Sequence, residues 1–272
     1  MGFLQRSVNL VTYEWRRALA KKWLYVLVIL ALALQVGLFA LFYYFFTNPP
    51  PGDIGPLLEE VKATMWLLGL LLSQGLFMPL IAIIIAGGSM SEEYERGTAD
   101  ILLSKPITKV EYMTGKFLGG LSLLGFVIAL TTILGAVLAH GLFGPQESLQ
   151  IAPLIYLVLI YSNLLFFSLT FMFSEVFRRT TLSLLAGIGI FVASSSIGTY
   201  LSIMYPEASK WLPNWSVSNL PSFVASELIT APGTVPSGDI QLAAAIIAVY
   251  TVVSILIATL RLVRSDVTKK GA

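Results

Sequence analysis

Six stretches of this chain stay apolar for about 20 residues or more, and they leave little freedom in the fold. A run of that length crosses a hydrocarbon core about 30 Å thick as a helix. In lipid, only helices and closed barrels satisfy every backbone donor and acceptor. The runs lie at about 23–46, 63–88, 117–142, 153–177, 181–204 and 240–263. None shows the ten-residue alternation of a barrel strand. A water-soluble fold fails on surface: 12% of the residues are charged against 56% hydrophobic, too few to cover several all-apolar helices. The predicted fold is an all-α polytopic membrane protein, one transmembrane domain over 1–272 with six spans.

The punctuation between the runs agrees. Span 1 ends in aromatic residues and then Asn48-Pro49-Pro50-Pro51-Gly52, which cannot continue a helix. Pro79 removes one backbone bond inside span 2 and predicts a kink. Gly144-Pro145 turns the chain between spans 3 and 4, and Arg178-Arg179 is all that separates spans 4 and 5. Residues 205–239 form a longer Pro-rich segment before span 6. Ahead of span 1, residues 7–22 carry Val8, Val11, Trp15 and Leu19 at helical spacing among Glu14, Arg16, Arg17, Lys21 and Lys22. That pattern predicts an amphipathic helix in the membrane interface, with Trp15 and Trp23 at headgroup level.

Charge orients the spans. With the N-terminus inside, fifteen of the 17 Lys and Arg residues fall on the inner side, and only Lys62 and Lys210 fall outside. The positive-inside rule therefore predicts cytoplasmic N- and C-termini and an extracytoplasmic 205–239 segment. The start of the chain shows no short apolar region with a small-residue cleavage site, so no cleaved signal peptide is expected.

The longest charged interruption is Ser91 to Lys116, which this orientation makes cytoplasmic. Glu92 and Arg96 are spaced i, i+4 and predict a surface pair on a helix continuing from span 2. Gly97 breaks that helix. Thr98 can cap a short helix with Asp100 in its first turn and Ile101, Leu102 and Leu103 as its apolar face. Lys105-Pro106 ends it. Thr108 and Glu111 form a capping box that starts the helix leading into span 3. A short helix showing Ile-Leu-Leu beside charges either packs back on the bilayer or fills a groove in a soluble partner.

The string EEYERGTADILLSKPITKVEYMTGKFLGG, with Glu-x-Glu-Arg-Gly-Thr, Leu-Leu-Ser-x-Pro and a later Gly-Lys, resembles the loop of ABC-2 type permeases. These are the transmembrane subunits of ATP-binding-cassette transporters. The likeness is to the six-span branch that includes Nos-type copper-maturation permeases and multidrug or antimicrobial-peptide exporters. The layout agrees, with an interfacial N-terminal helix, six spans and a longer outer segment in which Trp211 to Ile229 can supply a re-entrant helix. The resemblance implies a type V exporter-like fold and export driven by a separate cytosolic ATP-binding subunit. Two such subunits and a second permease chain, identical or not, are expected in a plasma-membrane complex. It also implies that Glu92, Glu93, Glu95, Arg96, Gly97, Thr98, Asp100, Ile101, Leu102, Leu103, Ser104 and Pro106 contact the ATPase, with Arg178-Arg179-Thr180-Thr181 at a second, smaller contact.

Other chemistry is thin. No Gly-x-x-x-x-Gly-Lys-Ser/Thr occurs, so ATP and Mg²⁺ are expected on the partner, and no cofactor on this chain. The lone His140 cannot by itself build a metal or protease site; no catalytic or metal residue and no nucleic-acid partner is expected. The spans hold essentially no charge at depth, Glu175 being close to the inner end of span 4, which disfavours a secondary transporter. A non-transporting scaffold is the remaining alternative. Polar residues at depth include Gln35, Ser73, Gln74, Thr131, Thr132, Ser162, Asn163, Ser194, Ser195 and Ser196. Helix–helix hydrogen bonding is the plain expectation for each. Spans 2 and 5 line the path in the resembled family, which implies Ser73, Gln74 and Ser194 to Ser196 as substrate-path residues. Gly115/Gly119, Ala82/Ala86 and Ser183/Gly187 allow close helix packing.

Overall fold

The structure is a computed structural model; it describes residues 3–49, 61–62, 64–99, 108–146 and 148–264, without the side chains of 3–8 and 73. Among these residues the chain is all-helical. Six helices are long and apolar enough to cross a membrane.

Helix α1 is Phe3–Leu19, and two residues later α2 (Lys22–Thr47) begins. Then come α3 (Met65–Gly87) and the five-residue α4 (Ser91–Glu95). The 35-residue α5 runs from Lys109 to Phe143, about 50 Å at 1.5 Å per residue, longer than a bilayer core. Next are α6 (Ala152–Phe177), α7 (Thr180–Met204) and α8 (Pro206–Ser209). After these, α9 (Pro213–Ala225) and α10 (Ser237–Arg264) complete the bundle.

Burial divides the spans into inner and outer. Helix α6 is central, packed by α3, α10, α7 and α9, and its buried side chains run from Ile155 to Glu175. Helix α2 buries only Leu24, Ala31, Gln35 and Phe39, and α7 only Ser183, Gly187, Phe191 and Ser194. Each set is one narrow stripe, so these two helices keep most of their apolar side chains on the outside. In water that would be an aggregation surface; against lipid it costs nothing.

The predicted signals hold where they are local. The capping box is present: Thr108 Oγ1 accepts from Glu111 N at 3.1 Å, and Glu111 Oε2 accepts from Thr108 N at 2.8 Å. Gly97 ends the preceding helix in the left-handed region at φ 68°. Pro79 lies inside α3. Residues 213–225 form the helix expected before the last span, with Val217, Leu220, Pro221 and Ala225 buried. At the end of the bundle away from α1, Trp66 Nε1 donates to Ser148 Oγ at 2.8 Å.

Two expectations need correction. Span 2 does not continue unbroken into the charged segment: α3 stops at Gly87 and α4 restarts at Ser91. Helix α1 does not present its whole polar side to an interface, since Glu14 and Arg17 are buried. Buried charge lies at the ends of the spans and not at depth: Lys116, just ahead of the predicted span 3, and Glu175, near the end of span 4, are both fully buried.

Candidate functional site

Two glycines bring α1 onto α5. A Cβ at Gly115 would sit 2.7 Å from Leu10 Cδ1. One at Gly119 would sit 2.7 Å from Glu14 Cβ and 3.2 Å from the Val11 backbone. The helices therefore approach closer than any residue with a side chain permits. That approach delivers Glu14 and Arg17 into the interior, beside Lys116 and the start of α4.

The result is a buried ionic cluster. Lys116 Nζ lies 2.5 Å from Glu14 Oε1, pairs also with Glu93, and donates to Ser89 O at 3.2 Å. It sits 4.7 Å from the centre of the Tyr13 ring, a cation–π contact. Tyr112 Oη donates to the other Glu93 oxygen. Arg17 grips Glu14 Oε2 through Nε at 2.9 Å and Nη2 at 2.7 Å, and reaches Glu92 Oε2 through Nη1 at 3.2 Å. Lys21 Nζ is 2.7 Å from Glu92 Oε1. Three carboxylates (Glu14, Glu92, Glu93) thus face three cations (Arg17, Lys21, Lys116), and the cluster is neutral. Neutrality and dense hydrogen bonding are what make buried charge tolerable. Lys21 is the loosest member. Burial first, then the neighbouring Arg17 charge, outweighs its pairing with Glu92 and lowers its pKa to about 8.

Helix α4 is also tied to the opposite side of the bundle. Met90 N and Ser91 N both donate to Ser174 Oγ of α6 at 2.9 Å. Tyr94 Oη donates to Glu175 Oε2 at 2.8 Å, and the Arg178 guanidinium lies 4.4 Å from the centre of the Tyr94 ring. Arg178 pairs with Glu175 at 3.0 Å. Glu95 accepts from Thr180 N and Thr180 Oγ1, both at 2.8 Å, and so caps the positive end of α7. Every residue of α4 has a fixed partner on α1, α5, α6 or α7, or on the end of α3.

The predicted contact residues divide accordingly. Glu92, Glu93, Glu95 and Arg178 converge on this hub. The expected Glu92–Arg96 surface pair does not form the way the spacing suggests: Glu92 turns inward to Arg17 and Lys21, where two cations reach it, and Arg96 is exposed. Thr98 Oγ1 donates back to Glu93 O at 3.4 Å. Arg179 is exposed at the start of α7. Asp100, Ile101, Leu102, Leu103, Ser104 and Pro106 lie outside the described residues. Sequence reasoning did not assign Glu14, Arg17, Lys21, Tyr112, Lys116 or Ser174 to a shared site; Thr180, expected at the second contact, joins the hub through Glu95. One signal pointed there: a Gly115/Gly119 pair flanking Lys116.

A family model described as ABC-2 family transporter protein matches residues 8–267. That range is nearly the whole chain. This protein belongs to the ABC-2 transporter family. It is similar to the probable ABC transporter permease protein NosY of Pseudomonas aeruginosa, 32% identical over 122 residues. The match covers 45% of this chain and 40% of that relative, so the chain spans less than half of the relative's length in the alignment.

In this ABC-2 protein the expected helix–helix bonding is met at Gln35, Gln74 and Thr131, whereas Thr132, Ser162, Asn163, Ser194 and Ser195 bond carbonyls of their own helices. Gln35 Nε2 donates to Thr131 O at 3.0 Å and Gln74 Nε2 to Thr131 Oγ1 at 2.8 Å, joining α2, α3 and α5. Ser194 and Ser195 return their hydroxyls to Phe191 O of their own helix, and Ser196 is exposed. The Ser73 side chain is not described. One small cavity of about 30 Å³ opens between α3, α6 and α9, bounded by Gln74, Gly75, Pro79, Asn163 and Ser218. Gln74 Oε1 and Asn163 Oδ1 are buried and have no hydrogen-bond partner. Pro79 supplies no N–H to the Gly75 carbonyl. The cavity is thus lined by acceptors and sized for a water or two.

Proposed function

We propose that this chain is the membrane-spanning permease subunit of an ABC transporter. ATP hydrolysis takes place on a separate cytosolic subunit, which carries ATP and Mg²⁺, and drives export. Two ATP-binding subunits and a second permease chain, identical or not, complete the assembly in the plasma membrane. The charged end of the bundle faces the cytoplasm, and 205–239 faces outward.

One observation carries the reading beyond family membership. The segment between Ala99 and Thr108, which the resemblance assigns to the ATPase contact, leaves directly from the α4 hub and returns at the capped start of α5. A partner that grips Asp100 to Pro106 pushes on α1, α3, α5, α6 and α7 together, because ion pairs and hydrogen bonds bind all of them to α4. Arg178 and Arg179 lie at the same end and offer the second contact. The acceptor-lined cavity at Gln74 gives the substrate path a site for N–H or O–H donors; Ser194 to Ser196 complete the proposed path.

The test is reconstitution with the ATP-binding subunit that co-purifies with the chain. Leu102→Asp places a charge on the apolar face offered to that subunit. ATP-dependent transport should fall at least tenfold, with the spans still folded. Transport at the wild-type rate would overturn the coupling role. A chain that purifies with no ATP-binding partner would favour a non-transporting scaffold.

A further inference from the structure

Where α6 meets the last turns of α10, an open groove of about 610 Å³ is bounded by Arg178, Arg261 and Arg264 together with Val176, Ile257 and Leu260. We infer that this groove is a binding site for the headgroup and upper acyl chains of an anionic phospholipid.

The charge is in surplus. Glu175 is the carboxylate beside the groove, and Arg178 already pairs with it at 3.0 Å. Arg261 and Arg264 pair with no carboxylate among the described residues. Among the described residues, three guanidiniums against the one carboxylate of Glu175 leave two net positive charges. Lys109 is also close, with its Nζ donating to Val263 O at 3.2 Å. Arg178 Nε is buried and has no acceptor. Guanidinium forks suit phosphate oxygens, which they can hold in bidentate fashion.

The apolar half of the groove selects the kind of anion. Arg261 and Arg264 continue two i, i+4 rows of α10: Val253–Ile257–Arg261 and Leu256–Leu260–Arg264. All four apolar members are about half exposed. Each row runs from aliphatic side chain to guanidinium over two helical turns, about 11 Å. A diacyl phospholipid has the same profile, with its phosphate at the interface and its chains along the span. A free phosphate would leave the rows uncovered. An acidic protein segment would have to cover a surface continuous with the lipid-facing side of a spanning helix. Basic clefts between spanning helices are where anionic headgroups bind.

The experiment uses the full chain purified in a neutral detergent and measures lipid occupancy by native mass spectrometry. The probes are phosphatidylglycerol, phosphatidylcholine and the soluble headgroup glycerol phosphate. Phosphatidylglycerol should bind at least tenfold more tightly than phosphatidylcholine. Arg261→Gln/Arg264→Gln should remove most of that preference, and Arg261→Lys/Arg264→Lys should keep part of it. Both arginines are exposed, so the fold does not depend on them. Equal binding of the two lipids would overturn the proposal, as would an undiminished preference in the Gln pair. Full competition by glycerol phosphate would also overturn it, by showing an anion site with no use for the acyl chains. In each chain the thermal midpoint should rise with phosphatidylglycerol only where the mass spectrum shows it bound.

Discussion

Substituting Lys116 with Met tests whether the ionic cluster acts as one closed unit. Lys116 is fully buried, and its ammonium serves both Glu14 and Glu93. Methionine nearly matches its volume, so packing changes little, but three carboxylates then face two cations with no solvent to share the imbalance. Removing one partner of a buried ion pair costs about 3–5 kcal/mol, which is more than a hundredfold in the unfolding constant. Adding Glu93→Gln restores neutrality and keeps a carbonyl oxygen for Tyr112 Oη. A buried pair replaced as a pair is often close to neutral, so the double variant should lie within about 1 kcal/mol of the parent chain. The coupling energy between the two sites should then exceed about 2 kcal/mol, above the usual range for distant, independent sites. The assay is reversible unfolding in mixed detergent micelles, followed by helical circular dichroism. A single variant costing less than about 1 kcal/mol would refute the closed cluster, because it would mean that water reaches Lys116. Additive costs would refute the pairing with Glu93.

Lys21 gives a pH signature. Its pKa in the folded chain is about 8, against an ordinary 10.5. The unfolded chain therefore binds more protons between those values, so stability rises with pH across that window, by at most about 3 kcal/mol. The penalty for keeping Lys21 charged is fully present below pH 8. Unfolding measured from pH 7.5 to 10.5 should show this rise in the parent chain and lose it in Lys21→Met. Gly119→Ala should separate α1 from α5, because its Cβ would meet Glu14 and the Val11 backbone. The expected cost is about 1–3 kcal/mol, with faster proteolysis inside α1. Thr108→Ala removes the capping box at the start of α5 and should cost about 1 kcal/mol, read as increased amide exchange over residues 109–112 with the distal end unchanged.

The spans were readable because hydrophobicity over 20 residues and turn residues between runs are local signals. The same holds for the capping box at Thr108, the break at Gly97 and the short Arg178-Arg179 connection: each depends on residues at most a few positions apart. The hub was not readable that way. Glu14 and Lys116 are about one hundred residues apart in sequence, and nothing in either neighbourhood names the other. Spacing offered Arg96 to Glu92 at i, i+4, an exposed pair worth only a few tenths of a kcal/mol. Tertiary structure offers two cations in a buried setting instead, and the inward arrangement wins. Gln74 shows the same limit from the other side. Its type and depth suggested both a helix contact and a path residue; its amide nitrogen takes the first role with Thr131, and its oxygen lines the cavity.

The charges also answer a problem that apolar packing leaves open. Lipid tails are as apolar as leucine, so an amphipathic helix beside a bundle gains little from apolar contact alone and can slide along it. Glycine-mediated approach brings α1 within backbone distance of α5, and the ion pairs then fix its register, since a shift of one residue would leave several buried charges unpaired. Helix α1 is consequently joined to α5 more firmly than to α2, its neighbour in sequence, which it meets only near the two-residue link at Ala20 and Lys21. Because α4 shares the same ion pairs, the start of the chain, the start of α5 and the base of the segment that follows Ala99 form one mechanical unit. On the proposed reading, force applied to that segment reaches the spans through charge pairing rather than through apolar contacts, so the variants that break the pairing are also the ones expected to uncouple ATP hydrolysis from transport.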